Sequence, residues 1–205
     1  MKLYYSPGAC SLAPHIVALE AGIDLALDKV DLKEKKTADG RNFLEINPKG
    51  YVPVLELDGG EILTEGPAID QYLADLKPES ALVPANGTMA RYQLQSLLNY
   101  ITSEIHKTYS PLFAADTPEA TVANRKAYLQ KRYAYLDAIL ARQPWLMGEQ
   151  FTVADAYLFT VTRWAKAVHV DLSAFTVLAD FQKRVGERPA VQAALQAEGL
   201  GHHAK

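Results

Sequence analysis

Up to Leu76 the hydrophobic pattern changes period several times, whereas after Thr88 it stays helical. Leu3-Tyr4-Tyr5 is a β-type run that stops at the breaker Pro7-Gly8. Ser11 to Gly22 then reads as a helix, with Leu12, Ile16 and Leu19 on one face and Gly22 at its end. Leu27 to Leu32 alternates apolar and charged residues as a second strand. Asp39 to Ile46 reads as a weak, irregular helix, and Asn47-Pro48-Lys49-Gly50 as a turn. Val52 to Leu57 and Glu61 to Thr64 flank Asp58-Gly59-Gly60, which predicts a hairpin, and Gly66 to Leu76 is periodic as a helix. The predicted order βαβαββα sets a parallel strand pair beside an antiparallel hairpin with helices on its faces, the thioredoxin-like plan.

Lys77 to Thr88, with Pro78, Pro84 and Gly87, reads as a linker. Beyond it, Leu94, Leu98, Ile101 and Ile105 form one apolar stripe and Leu129, Tyr133, Leu136 and Leu140 another, predicting two long helices. Thr152-Val153-Ala154-Asp155 has capping-box spacing, which starts a helix reaching about Ala167. Shorter helices are expected at about Phe175 to Glu187 and Ala190 to Glu198. The expected organisation is α/β plus all-α: a thioredoxin-like domain over 1–77, a linker over 78–87 and a helical domain over 88–205.

Composition narrows the function. The chain has 205 residues, 49% of them apolar and 22% charged, with a net charge of -3, so it is an ordinary globular chain with no basic excess for nucleic acid. Cys10 is its single cysteine, which excludes an intramolecular disulfide and a Cys-rich zinc site and fits a reducing compartment. Pro7, Gly8, Pro14 and His15 break any signal-peptide core, so the chain reads as untargeted and cytoplasmic, with no membrane partner.

Cys10 falls where the first turn hands over to the first helix. A thiol at a helix N-terminus meets the positive end of the macrodipole, which favours thiolate; the plainer reading is a small buried hydrophobe. No second cysteine follows, so a dithiol cycle would need a thiol co-substrate. Val52-Pro53 puts a proline at the start of a strand; if that bond is cis, the Val52 main chain is left to pair with an extended, peptide-like ligand. Glu65-Gly66 opens a helix: the Gly66 amide suits a carboxylate and Glu65 an ammonium, which together define an amino-acid head group. Simple helix capping is the alternative. Asn99, Ser103 and His106 recur at i, i+4 and i+7 with Glu104 and Lys107 beside them, either a solvated face or a polar wall whose histidine acts on a sulfur. Trp145, Phe151, Tyr157, Phe159 and Trp164 read as core aromatics, His15 and His169 as packed or surface residues, and the His202-His203 pair as no metal site.

Taken in order, Pro7-Gly8-Ala9-Cys10-Ser11, Asn47-Pro48-Lys49-Gly50-Tyr51-Val52-Pro53, Leu63-Thr64-Glu65-Gly66-Pro67-Ala68-Ile69 and Phe151-Thr152-Val153-Ala154-Asp155 resemble a cytosolic glutathione S-transferase of the bacterial beta class, essentially from end to end. The resemblance implies that glutathione is bound as a co-substrate in the first domain, with no tightly bound cofactor and no metal. It places Cys10, Tyr5 and Ser11 near the glutathione sulfur and Lys35 near the glycyl carboxylate. Val52 would meet the cysteinyl main chain by way of cis-Pro53, and Glu65 and Gly66 the γ-glutamyl head group. His106 and Lys107 would approach the sulfur from the second domain, with Asn99, Ser103 and Glu104 on the same wall. Many superfamily members carry Ser or Thr where this chain has Gly66, so here the head-group carboxylate would rest on backbone amides.

The implied activity is conjugation of glutathione to small hydrophobic electrophiles by a homodimer, with peroxidase or thiol-transfer side activity. Two alternatives remain open at this point. One is Cys10-dependent thiol–disulfide exchange or reductive dehalogenation as the main reaction. The other is a non-catalytic regulatory protein on the same fold.

Overall fold

A computed structural model describes residues 1–201. The chain divides into two compact units, one formed by Met1–Val83 with the segment from Glu187 onward, the other by Pro84–Gly186. The expected helical domain thus contributes its last helix to the first unit.

The first unit contains β1 (Lys2–Tyr5), α1 (Leu12–Glu20), β2 (Ala26–Asp31), β3 (Lys36–Thr37), α2 (Phe43–Ile46), β4 (Val54–Glu56), β5 (Ile62–Thr64) and α3 (Gly66–Asp75). The sheet order is β3-β2-β1-β4-β5, with β1 parallel to β2 and antiparallel to β4. Tyr4 pairs with Val54, and both fall on one face with Val30, Phe43 and Val52 in a buried cluster. Alternation sends Leu3 and its partner Leu55 to the other face, fully buried, where α1 and α3 pack on one another. This confirms the thioredoxin-like plan. The β4–β5 hairpin also forms as expected, with Gly60 at φ 86° closing its turn.

One expectation here needs correction, and one element was not foreseen. The helix expected from Asp39 to Ile46 is only Phe43–Ile46, because Gly40 adopts φ 86° and the Asn42 side chain caps Leu44 N–H at 3.1 Å. Lys36–Thr37, which falls between the predicted elements, is a short edge strand antiparallel to β2.

The second unit contains α4 (Met89–Tyr100), a π-turn over Ile101–His106, α5 (Lys107–Tyr109), α6 (Glu119–Leu140), α7 (Val153–Thr162), α8 (Trp164–Ala167) and α9 (Thr176–Gly186). Every residue of the two predicted apolar stripes is buried. The capping box forms: Asp155 accepts from Thr152 N–H at 2.8 Å, and its other oxygen accepts from Leu146 N–H at 2.8 Å. That pins the start of α7, whose residues are all buried. No described helix is long and apolar enough to cross a membrane.

α10 (Pro189–Ala197) packs on α1 within the first unit. Arg188 grips Glu20 through two nitrogens at 2.5 and 2.9 Å. Just past α10, Glu198 accepts from Gly8 N–H at 3.0 Å through one oxygen and meets His15 Nδ1 at 2.9 Å through the other. His15 is therefore a packed residue, whereas His169 is exposed. The His202-His203 pair lies outside the described residues.

Candidate functional site

Gly8 takes φ 73°, and a Cβ there would meet Leu200 Cδ2 at 3.4 Å, so the turn before α1 is built for glycine. Ser11 closes the same turn. Its fully buried hydroxyl accepts from Ser6 N–H at 3.1 Å and donates to Ser6 O at 3.2 Å. Ser11 thus holds the turn's main chain in shape, and Cys10 follows at its end.

Cys10 Sγ donates to Val52 O at 3.2 Å. The Val52-Pro53 bond is cis, and the Val52 carbonyl is engaged by the thiol. Burial pushes the Cys10 thiol up to about 12, outweighing the main-chain amides of Cys10 and Ser11 that pull it down; the charge of Asp70 adds to the rise. The expectation of a standing thiolate is corrected: the helix N-terminus is there, but lost hydration and a carbonyl acceptor both favour the S–H form. The Tyr5 phenol is likewise pushed up, by burial first and then by the charge of Glu198.

At the start of α3, Glu65 adopts φ 70°, a conformation that side-chain-bearing residues rarely take and that aims its carboxylate at the turn before β4. There it pairs with Lys49 and accepts from Tyr51 OH at 3.3 Å. Lys49 Nζ also donates to Thr64 Oγ1 at 2.8 Å, and the hydrogen bond to Glu65, followed by the Glu65 charge, holds the Lys49 ammonium above its usual range. Gly66 sits beside the cis-proline, its Cβ position 3.8 Å from Pro53 Cγ, so the helix start is set next to the Val52 main chain. Lys35, also at positive φ, donates from Nζ to Gly50 O at 2.6 Å, which brings it to the same turn. The structure thus gathers Cys10, Ser11, Val52, Pro53, Glu65, Gly66 and Lys35 around the β1–α1, β4 and α3 junctions of one unit.

The second unit arranges its polar residues differently from expectation. The helix loosens into a π-turn over Ile101–His106, so the i, i+7 relation no longer returns to the Asn99 face. Asn99, Ser103 and Lys107 are exposed, and Ser103 Oγ donates to Asn99 O at 3.0 Å. Glu104 is drawn away to α6, where Arg132 Nε meets it at 2.9 Å and Tyr128 OH donates to it. His106 Nδ1 meets Tyr157 OH at 2.5 Å, and its ring stacks edge-on to Trp164 with centroids 4.9 Å apart. Tyr157 and Trp164, expected to be core aromatics only, are therefore the groups that orient His106.

Lys49, Tyr51, Tyr157 and Trp164 were not expected in the site. For Lys49 and Tyr51 the turn motif Asn47 to Pro53 supplied the only available signal. Among the described residues no group of three ligating side chains could hold a metal.

Comparison with known proteins shows the family. Residues 8–76 match the model of the glutathione S-transferase N-terminal domain and residues 100–189 that of its C-terminal domain. The chain is 49% identical to glutathione S-transferase GstA of Escherichia coli O157:H7, covering 98% of this chain and all of that one. A sphingomonad glutathione S-transferase solved in complex with glutathione superposes with a TM-score of 0.94 at 47% identity, over 98% of this chain and all of the other. The bacterial beta class enzyme of Sphingomonas chungbukensis gives a TM-score of 0.94 at 45% identity, with the same coverage.

Proposed function

Because the chain belongs to the glutathione S-transferase family, we propose that it binds glutathione in its first unit and conjugates it to small hydrophobic electrophiles. The observation that carries this reading is the strained Glu65 at the head of α3. An exposed carboxylate held at φ 70° beside a helix N-terminus offers an acceptor for an ammonium and amides for a carboxylate, the two charges of a γ-glutamyl group. The Val52 main chain meets the cysteinyl residue and Lys35 the glycyl carboxylate. Lys49 holds Glu65 in place until the ligand's ammonium shares it.

In the reaction the glutathione thiol gives up its proton to solvent water. The sulfur lone pair then forms a bond to the electrophilic carbon, whose leaving group departs with its own bonding pair. Tyr5 and Cys10 line the start of α1 where that sulfur would sit, with Ser11 fixing the turn beneath them; within the second unit Tyr157 orients His106. Asn99, Ser103 and Lys107 offer polar side chains to solvent along the same stretch, while Glu104 is engaged by Arg132. Holding the thiolate in a defined place beside the electrophile supplies much of the rate. The S–H donation from Cys10 to Val52 favours conjugation over a cycle in which Cys10 is the nucleophile. The protein works as a cytoplasmic homodimer.

The test is calorimetric titration with reduced glutathione, wild type beside Cys10→Ala. Binding by both variants is expected. Binding by neither overturns the transferase reading in favour of a regulatory protein on this fold.

A further inference from the structure

Asn47, at the end of α2, is only 2% exposed, and both ends of its side-chain amide are engaged by main chain. Its Oδ1 accepts from Lys49 N–H at 3.2 Å, and its Nδ2 donates to Tyr51 O at 2.8 Å. These partners fix the orientation of the amide, because a flipped one would set two donors together at Lys49 and two acceptors together at Tyr51. The Asn47 N–H donates to Phe43 O and its carbonyl accepts from Gly50 N–H, each at 2.9 Å. One residue thus ties down the turn from Pro48 to Tyr51.

The bond to Lys49 is the ordinary device by which Asn or Asp opens a turn. The bond to Tyr51 differs, since it requires a donor and sets the plane of the Tyr51–Val52 peptide. That peptide is trans, the cis bond being the next one, Val52-Pro53. In a trans peptide the carbonyl and the N–H point in opposite directions, so holding Tyr51 O toward Asn47 turns the Val52 N–H away from Asn47. The same turn brings Lys49 and Tyr51 OH to Glu65 and sets Gly50 O 2.6 Å from Lys35 Nζ. At Gly50, where φ is 72°, a Cβ would stand 3.0 Å from Leu44 Cδ2, so the turn lies close against α2.

We propose that Asn47 is a positioning residue of the glutathione site: its donation to Tyr51 O presets the Tyr51–Val52 peptide, and with it the Val52 main chain, for the ligand. The proposal rests on the reading that this site takes glutathione, and it adds a residue that acts through the turn and not on the ligand. Without the Tyr51 bond the peptide samples other orientations, and affinity falls in proportion to the fraction of molecules that keep the correct one.

The test is calorimetric titration with reduced glutathione on wild type, Asn47→Asp and Asn47→Ser. Asn47→Asp keeps the shape of the side chain and the acceptor for Lys49, but at neutral pH its carboxylate offers no donor to Tyr51 O. Asn47→Ser keeps a hydroxyl acceptor for the turn and loses the reach to Tyr51 O. At about pH 7 glutathione is expected to bind Asn47→Ser about threefold to tenfold more weakly than wild type, the span of one hydrogen bond, and Asn47→Asp at least as weakly. As the pH falls to about 4, the introduced carboxyl gains a proton and its O–H replaces the lost donor. The affinity of Asn47→Asp relative to wild type should then climb back toward one, while that of Asn47→Ser stays constant. The charged groups beside the turn are Lys35, Lys49 and Glu65, with Glu45 exposed on α2; all are common to the three proteins, so the ratio cancels their titration.

A residue that only stabilised the fold would lower Tm and leave the affinity of the folded protein unchanged, so wild-type affinity in both variants overturns the proposal. Weakening in Asn47→Asp alone marks charge repulsion and also overturns it, as does an Asn47→Asp ratio that stays flat with pH. If Asn47→Asp does not fold, the affinity of Asn47→Ser decides. All of these outcomes leave wild-type binding intact; a wild type that binds no glutathione overturns the glutathione reading itself, and the proposal with it.

Discussion

Cys10 and Glu65 stand at the starts of two helices packed on each other, yet one is half-buried with its proton held on a carbonyl and the other is exposed and paired with Lys49. At the Cys10 end main-chain groups are held by inward-facing side chains: Val52 O takes the thiol, Ser11 Oγ bridges to Ser6, and Glu198 accepts from Gly8 N–H. The Glu65 end is made of side chains on a strained backbone. A helix N-terminus supplies the same dipole to both, and at Cys10 burial outweighs it, so the thiol keeps its proton. The first end fixes geometry and the second can exchange one cation for another.

Three measurements test this contrast. Glu198→Ala removes the support under the Cys10 end, leaving His15 and the Gly8 amide buried without their acceptor. A loss of about 3 kcal/mol is expected from breaking such a buried pair, or roughly 6 to 12 °C in Tm, read by calorimetry. A change within about 1 °C would mean that the turn holds itself. Glu65→Gln removes the charge at the other end while keeping its shape; glutathione binding should weaken by roughly tenfold to a hundredfold, the value of a charge-assisted hydrogen bond, with little change in Tm. Equal affinity would show that the ammonium is held elsewhere.

The third effect is in pH. The Cys10 thiol is raised from 9.0 to about 12, so between those values the unfolded chain holds fewer protons than the folded one. The Cys10 contribution to stability is therefore complete below pH 9 and lost as pH rises toward 12. Wild-type Tm should fall faster than that of Cys10→Ala over this window; parallel curves would refute a raised thiol.

Local signals carried most of the fold. Pro7-Gly8, Asp58-Gly59-Gly60 and Thr152 to Asp155 each encode their turn or cap within a few residues, and the stripes of α4 and α6 repeat often enough to read. Lys36–Thr37 was missed because a two-residue edge strand exists only through its partner, β2. His106 was placed on the wrong face because spacing assumes an unbroken helix, and nothing in Ile101 to His106 announces a π-turn. Site residues on turns were legible by position; the state of the Cys10 thiol was not, since it depends on burial and on Val52 O, which only the fold brings to it.

The acceptor for Gly8 lies 190 residues further along the chain. During synthesis the ribosome makes all of Pro84–Gly186 between the turn that carries Cys10 and the residue that secures it. N-terminal domains usually fold while the rest of the chain is still emerging, but this one stays unfinished until α10 has appeared. A transcript truncated before Glu198 would therefore yield a polypeptide that contains every residue around Cys10 but lacks the acceptor that anchors Gly8.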